Sequence, residues 1–132
     1  MADGMRRILV VDDDPSIRDM VRMVLEVEGY EVSLADDGFA ALFSIEEARP
    51  DCVVLDVMMP GIDGHDVLAR IRAAERGLDL PVVMLTAAAS DEQAWAAWSE
   101  GVDYFLAKPF DPDELLHFLG YLFDPERVAV SD

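Results

Sequence analysis

Ile8-Leu9-Val10-Val11-Asp12-Asp13 is the stretch on which the fold turns: four consecutive apolar residues ending abruptly in two acids. A continuous apolar run of this length reads as a strand buried on both faces, the mark of a parallel sheet. The same design recurs downstream. Cys52-Val53-Val54-Leu55 runs into Asp56, Val82-Val83-Met84-Leu85 into Thr86, and Phe105-Leu106-Ala107 into Lys108. In an open parallel sheet, ligands bind in the crevice beyond the carboxyl ends of the strands. Three carboxylates, a hydroxyl and an ammonium are therefore delivered to one edge of one sheet.

The segments between these runs have helical period. Asp14 is placed to cap a helix and Pro15 suits its first turn. Ile17, Met20, Val21, Val24 and Leu25 then follow the i, i+3, i+4, i+7, i+8 rule for one buried face, and Gly29 stops the helix. Glu31 to Ala35 alternates polar and apolar residues, which predicts a half-exposed strand at a sheet edge. Gly38 opens a second helix that ends before Arg49-Pro50. Met59-Pro60-Gly61-Ile62-Asp63-Gly64 is a turn-rich loop, followed by a third helix from about His65 to Ala74 with Val67, Leu68 and Ile71 facing inward. A fourth helix is expected over about Asp91 to Ser99, a fifth strand over Tyr104 to Ala107, and a fifth helix over Pro112 to Phe123. Five βα units in a row imply right-handed crossovers, hence an α/β fold: a five-stranded, doubly wound parallel sheet with helices on both faces. The expected organisation is one domain over residues 1–123 and a short C-terminal tail over residues 124–132.

The charge narrows the function. The 132 residues carry 28 acidic against 10 basic side chains, a net charge of −18. Such a surface repels DNA, RNA and anionic membranes, so direct nucleic-acid binding and membrane association are not expected. It favours a bound cation and a basic protein partner. The single cysteine, Cys52, lies inside an apolar run and reads as a buried small hydrophobe; one cysteine permits no internal disulfide and suits the cytoplasm. No signal peptide is expected, because Met1-Ala2-Asp3-Gly4-Met5 is polar and the following strand is too short for an h-region. No apolar stretch approaches a membrane span.

Ile8-Leu9-Val10-Val11-Asp12-Asp13-Asp14, Val54-Leu55-Asp56-Val57-Met58-Met59-Pro60-Gly61-Ile62-Asp63-Gly64 and Lys108-Pro109-Phe110 occur in order and with consistent spacing. With Thr86 between them, they resemble the receiver domain of two-component response regulators, in its single-domain class, from Arg7 to about Phe123. The resemblance implies a flavodoxin-like strand order 2-1-3-4-5. It implies Mg²⁺ held by Asp13 and Asp56 directly, by Asp12 through water, and by the backbone carbonyl of Met58. Asp56 is then the nucleophile that takes a phosphoryl group from a sensor histidine kinase or a histidine phosphotransfer protein, with Lys108 balancing charge. Thr86 and the Ala87 backbone N–H would bind the phosphoryl oxygens. The chemistry is coherent without the family. Clustered carboxylates repel one another and a hard divalent cation resolves this, aspartate is a known nucleophile, and positioned cations stabilise the charge that phosphoryl transfer spreads over oxygen.

In the family, the hydroxyl at Thr86 moves toward the phosphoryl group and an aromatic three residues before the lysine rotates into the vacated space. That residue is Phe105, not Tyr104. Phe has no hydroxyl, so a switch driven by packing is expected. Met58 and Ala88 flank the path of hydrolytic water and neither can activate it, which implies slow self-dephosphorylation. The resemblance also implies signalling through the fourth helix, fifth strand and fifth helix. There Phe118 and Tyr121 are expected to project away from the Leu115, Leu119 and Leu122 core stripe and offer a surface for a downstream effector protein or a homodimer.

Simpler readings stand beside these. Asp12 and Asp13 alone would read as a helix-capping turn, and Thr86 as a strand end. His65 and His117 lack partners at ligand spacing and read as solvated helix residues. Trp95 and Trp98 read as core packing, and the Lys108-Pro109 bond as trans unless the family's cis form holds. A rival enzyme class is a haloacid-dehalogenase-like phosphatase, with Asp12 and Asp14 as its Asp-x-Asp pair, but it leaves Asp56 without a role. A receiver-like scaffold that ignores phosphate leaves every phosphate-contact position without one. The expectation is a phosphoacceptor in place of a turnover enzyme.

Overall fold

The computed structural model of the chain describes residues 5–74, 79–86, 101–108 and 110–124. The strands are β1 (Arg7–Val11), β2 (Glu31–Ala35), β3 (Cys52–Asp56), β4 (Val82–Thr86) and β5 (Tyr104–Ala107). The described helices are α1 (Pro15–Val27), α2 (Gly38–Glu47), α3 (Gly64–Ala73) and α4 (Pro112–Phe123). The label α4 thus belongs to the fifth helix of the sequence reading; the helix expected over Asp91 to Ser99, with Trp95 and Trp98, lies outside the described residues.

All strands pair in parallel in the order β2-β1-β3-β4-β5, the expected flavodoxin-like arrangement. Every residue of β3 and β4 is buried, as continuous apolar runs between two helical layers require. The edge strand β2 is mostly exposed. One core lies between the sheet and α2 with α3, built on Leu9, Val11, Val53, Leu55, Leu68 and Met84. The other lies toward α1 and α4, built on Ile8, Val10, Leu25, Val54, Leu85 and Leu119. Alternate residues of each strand feed opposite cores, as the pleat dictates.

Each described helix starts on an aspartate whose side chain accepts a first-turn N–H: Asp14 from Ser16, Asp37 from Ala40, Asp63 from Asp66 and Asp111 from Asp113. The Asp63 cap starts α3 at Gly64, one residue before the sequence estimate. α1 ends as expected at Gly29, whose φ is +95°. The Tyr30 N–H donates to the Leu25 carbonyl and the Gly29 N–H to the Glu26 carbonyl, closing a Schellman motif that turns the chain into β2.

Candidate functional site

Pairing register decides what the carboxyl edge of the sheet displays. Val11 lies opposite Leu55, Asp56 opposite Leu85 and Thr86 opposite Ala107. Asp12, Asp56, Thr86 and Lys108 therefore leave the sheet within two residues of a common line. Asp12, Asp56 and Thr86 are at most 2% exposed, an unusual burial for carboxylates, while Asp13 stands in solvent.

The Lys108 ammonium joins the two buried acids. Its Nζ donates to Asp12 Oδ2 at 3.1 Å and to Asp56 Oδ1 at 3.2 Å. Burial alone would lower the Lys108 pKa, but the hydrogen bond to Asp12 and the charge of Asp56 outweigh it and hold the group above the ordinary lysine range. Asp56 is pushed the other way from a normal carboxyl, up to about 6. Burial is the main cause and the Asp12 charge the next, only partly offset by Lys108. Two buried carboxylates thus share one cation.

Asp12 is held more firmly than Asp56. Its Oδ1 accepts the Asp14 N–H at 2.9 Å, and its carbonyl accepts Arg18 Nη1 at 2.8 Å. Asp56 Oδ1 receives only a long bond from the Met58 N–H, 3.4 Å, besides Lys108. Asp14 is exposed and caps α1, as read from the sequence.

One oxygen from each of Asp12, Asp13 and Asp56 falls within 4.8 Å of the others, the one such cluster among the described residues. The donor set is all oxygen and its negative charge exceeds what Lys108 can balance, so the residues fit a hard divalent cation such as Mg²⁺. No histidine joins the cluster.

Two contributors escaped the sequence reading. Arg18 reaches back over the first turn of α1 to clamp the Asp12 carbonyl; the only trace in the sequence is an arginine shortly after an acidic pair. Gly64 begins α3 directly against the end of β3, with its N–H donating to the Val57 carbonyl at 2.8 Å. A Cβ there would lie 2.5 Å from the Asp56 carbonyl oxygen and 2.8 Å from the Val57 Cα.

On β5, Phe105 is half-buried and packs toward the α2 and α3 core, whereas Tyr104 packs toward α4. One surface expectation needs correction. Phe118 does not project freely: it is half-buried and stacked on Tyr104, with ring centroids 4.6 Å apart and planes at 13°. The Tyr104 hydroxyl also donates to Glu114 at 3.1 Å. β5 fills the space that a lone helix would leave open. Tyr121 is exposed as expected, at 59%. Ala87, Ala88 and Pro109 lie outside the described residues.

The family described as the response regulator receiver domain matches residues 8–119. The DNA-binding dual master transcriptional regulator RpaA of Synechocystis sp. is 43% identical over 112 residues, covering 85% of this chain and 46% of that protein. Response regulator MprA of Mycobacterium avium is 48% identical over 132 residues, covering 95% and 57%. The chain spans about half the length of the curated relatives it matches. Among solved structures, a putative response regulator from Chloroflexus aurantiacus superposes with a TM-score of 0.86 at 37% identity, covering 91% of this chain and 98% of that one. The chemotaxis protein CheY4 of Vibrio cholerae gives 0.83 at 38% identity, covering 88% and 97%. A matched profile over most of the chain, the shared strand order and these relatives agree: the chain belongs to the receiver domain family of two-component response regulators.

Proposed function

We propose that Asp56 is the phosphoacceptor of this receiver domain and that its phosphorylation is the signal the domain transmits. The observation that carries the reading is the buried Asp56 carboxylate, bonded to the Lys108 ammonium at 3.2 Å and under-neutralised by it. An Asp56 oxygen attacks the phosphorus of a phosphohistidine on a sensor histidine kinase or a histidine phosphotransfer protein. The P–N bond breaks, its electron pair leaves with the imidazole, and an acyl phosphate forms. Lys108, already between Asp12 and Asp56, balances charge that grows on the transferring oxygens. Asp12, Asp13, Asp56 and the Met58 carbonyl would hold Mg²⁺, which supplies Lewis-acid stabilisation of those oxygens when bound.

The Thr86 hydroxyl, with the Ala87 N–H, is proposed to bind the phosphoryl group and pull β4 toward it, and Phe105 to follow by packing alone. Loss of the Phe105 ring would then leave the surface of β5 and α4 unchanged on phosphorylation. The exposed Met58 and Ala88 have no group that activates water, so the acyl phosphate is long-lived. The output passes to a downstream effector protein, or a second copy, through Tyr121 and its surroundings. RpaA is named as DNA-binding, but this acidic domain itself is not proposed to touch nucleic acid. It is proposed to work in the cytoplasm; no described helix is long and apolar enough to cross a membrane.

Incubation with a small phosphodonor and Mg²⁺ tests the reading by mass spectrometry. The expected result is one stable phosphoryl group, absent from Asp56→Asn. Continuous donor turnover surviving in Asp56→Asn and lost in Asp12→Asn would establish the phosphatase, and no reaction at all the scaffold. The phosphatase is disfavoured by Asp14, which is exposed and engaged as the α1 cap.

A further inference from the structure

Phe39 and Phe43 stand one turn apart on the outer side of α2 and leave 56% and 67% of their surface to solvent. Nothing local calls for phenylalanine there. Its helix propensity is middling, and α2 is anchored from its other side by Ala40, Ala41, Leu42 and Ile45. The Arg70 guanidinium, from the α3 side, lies over the Phe39 ring 5.8 Å from its centroid and steadies it. Phe43 has no aromatic or cationic partner among the described residues.

The ends of this ridge are acidic. Asp36 precedes the helix and Glu46 and Glu47 close it, all exposed. None has a basic side chain within ion-pair distance among the described residues, although Glu26, Glu31, Asp79 and Asp103 all do. The outer face of α2 thus reads acid, ring, ring, acid. Two copies laid face to face would bring like charges together at both ends. Anionic lipid would be repelled. What complements the ridge is a helix with an apolar centre and cationic ends.

We propose that the outer face of α2 docks a helix of a partner protein whose apolar side chains cover Phe39 and Phe43 and whose lysines or arginines reach Asp36 at one end and Glu46 and Glu47 at the other. The test titrates the isotope-labelled protein with a short amidated helical peptide bearing leucines at i, i+3, i+4 and i+7 and two lysines at each end, read by amide NMR. The expected result is saturable shifts confined to residues 36–47 and their α3 neighbours, weakening with added salt. Affinity should fall about tenfold or more in Phe43→Ser and in the Glu46→Lys, Glu47→Lys double variant. A glutamate-ended peptide should not bind. Unchanged α2 signals, shifts on another surface, equal binding to Phe43→Ser or equal binding of the glutamate-ended peptide would each overturn the proposal. So would wild-type dimers in sedimentation that Phe43→Ser dissolves, which would make a second copy the occupant. Phe43 is solvent-facing, and an unaltered spectrum away from α2 confirms that the variant folds.

Discussion

The two ends of the same sheet treat charge in opposite ways. At the amino end, acids are met by backbone and guanidinium donors. Asp51 accepts the Arg7 N–H at 2.8 Å, and Asp103 accepts the Val82 N–H at 2.8 Å and Arg72 Nη2 at 3.0 Å. Arg72 also donates to the carbonyls of Leu80 and Gly101, tying α3 to the approaches of β4 and β5. At the carboxyl end, two buried carboxylates share one ammonium. One end is arranged for stability. The other holds back a counter-charge, and that deficit is what a divalent cation can fill.

The largest expected effect breaks the carboxyl end. Asp56→Asn should take up no phosphoryl group from a small donor, read by mass spectrometry, and yet be more stable than the parent in metal-free buffer. Asp56 has a folded-state pKa of about 6 against 3.8, so the folded protein is penalised for holding it ionised. That penalty is complete above about pH 6, shrinks as pH falls from there toward 4, and vanishes once both states are protonated. The variant should therefore gain about 2 to 3 kcal/mol at pH 7 and lose that advantage in acid. Thermal melts in chelator at pH 7 and pH 4.5 decide it; a variant less stable at pH 7 would contradict the charge deficit.

Arg72→Ala breaks the amino end instead. Its side chain is 17% exposed and serves three acceptors, so urea unfolding should show a loss of about 2 to 3 kcal/mol. Mg²⁺ affinity and the rate of phosphoryl uptake in the folded protein should be unchanged. A parallel loss of both would mean that the two ends are not separable.

Gly64→Ala probes the link from fold to site. The new Cβ would press on the Asp56 carbonyl and the Val57 Cα, both backbone, so the start of α3 or the end of β3 must shift. A loss of about 1 to 3 kcal/mol is expected, together with slower phosphoryl uptake, which distinguishes it from Arg72→Ala. Uptake at the parental rate would show that α3 yields and Asp56 does not.

The sequence made the strand ends legible because apolar runs terminating in polar residues need no tertiary information: once β1, β3, β4 and β5 are parallel, topology alone gathers Asp12, Asp56, Thr86 and Lys108. The β2 edge and the Asp14 cap were legible for the same local reasons. What stayed hidden depends on neighbours distant in sequence. A helical wheel turns Phe118 away from the leucine stripe, but it cannot know that Tyr104 of β5 waits there. Nothing in the composition of the Ile62-Asp63-Gly64 turn reveals that a methyl group would strike the backbone of Asp56, and Arg18 gains meaning only once α1 folds back over Asp12.

The smallest expected effect sharpens the contrast within a few residues. Asp14 adjoins the acidic site but belongs to the stability side: it is exposed, and the Ser16 N–H it accepts holds its carboxyl below the usual range. A lowered folded-state pKa contributes stability that is present above the unfolded value and disappears as pH falls through the folded one. Asp14→Ala should therefore lower the melting temperature slightly at pH 7, and the deficit should fade in acid. Asp56→Asn should show a fading difference over an adjacent window but of opposite sign, a gain that disappears. Two aspartates at the same end of the sheet would then shift in opposite directions, because one carboxylate is exposed and met by a backbone donor while the other is buried beside a second carboxylate. Melts of both variants across the same pH series decide the matter, and equal signs at pH 7 would erase the distinction.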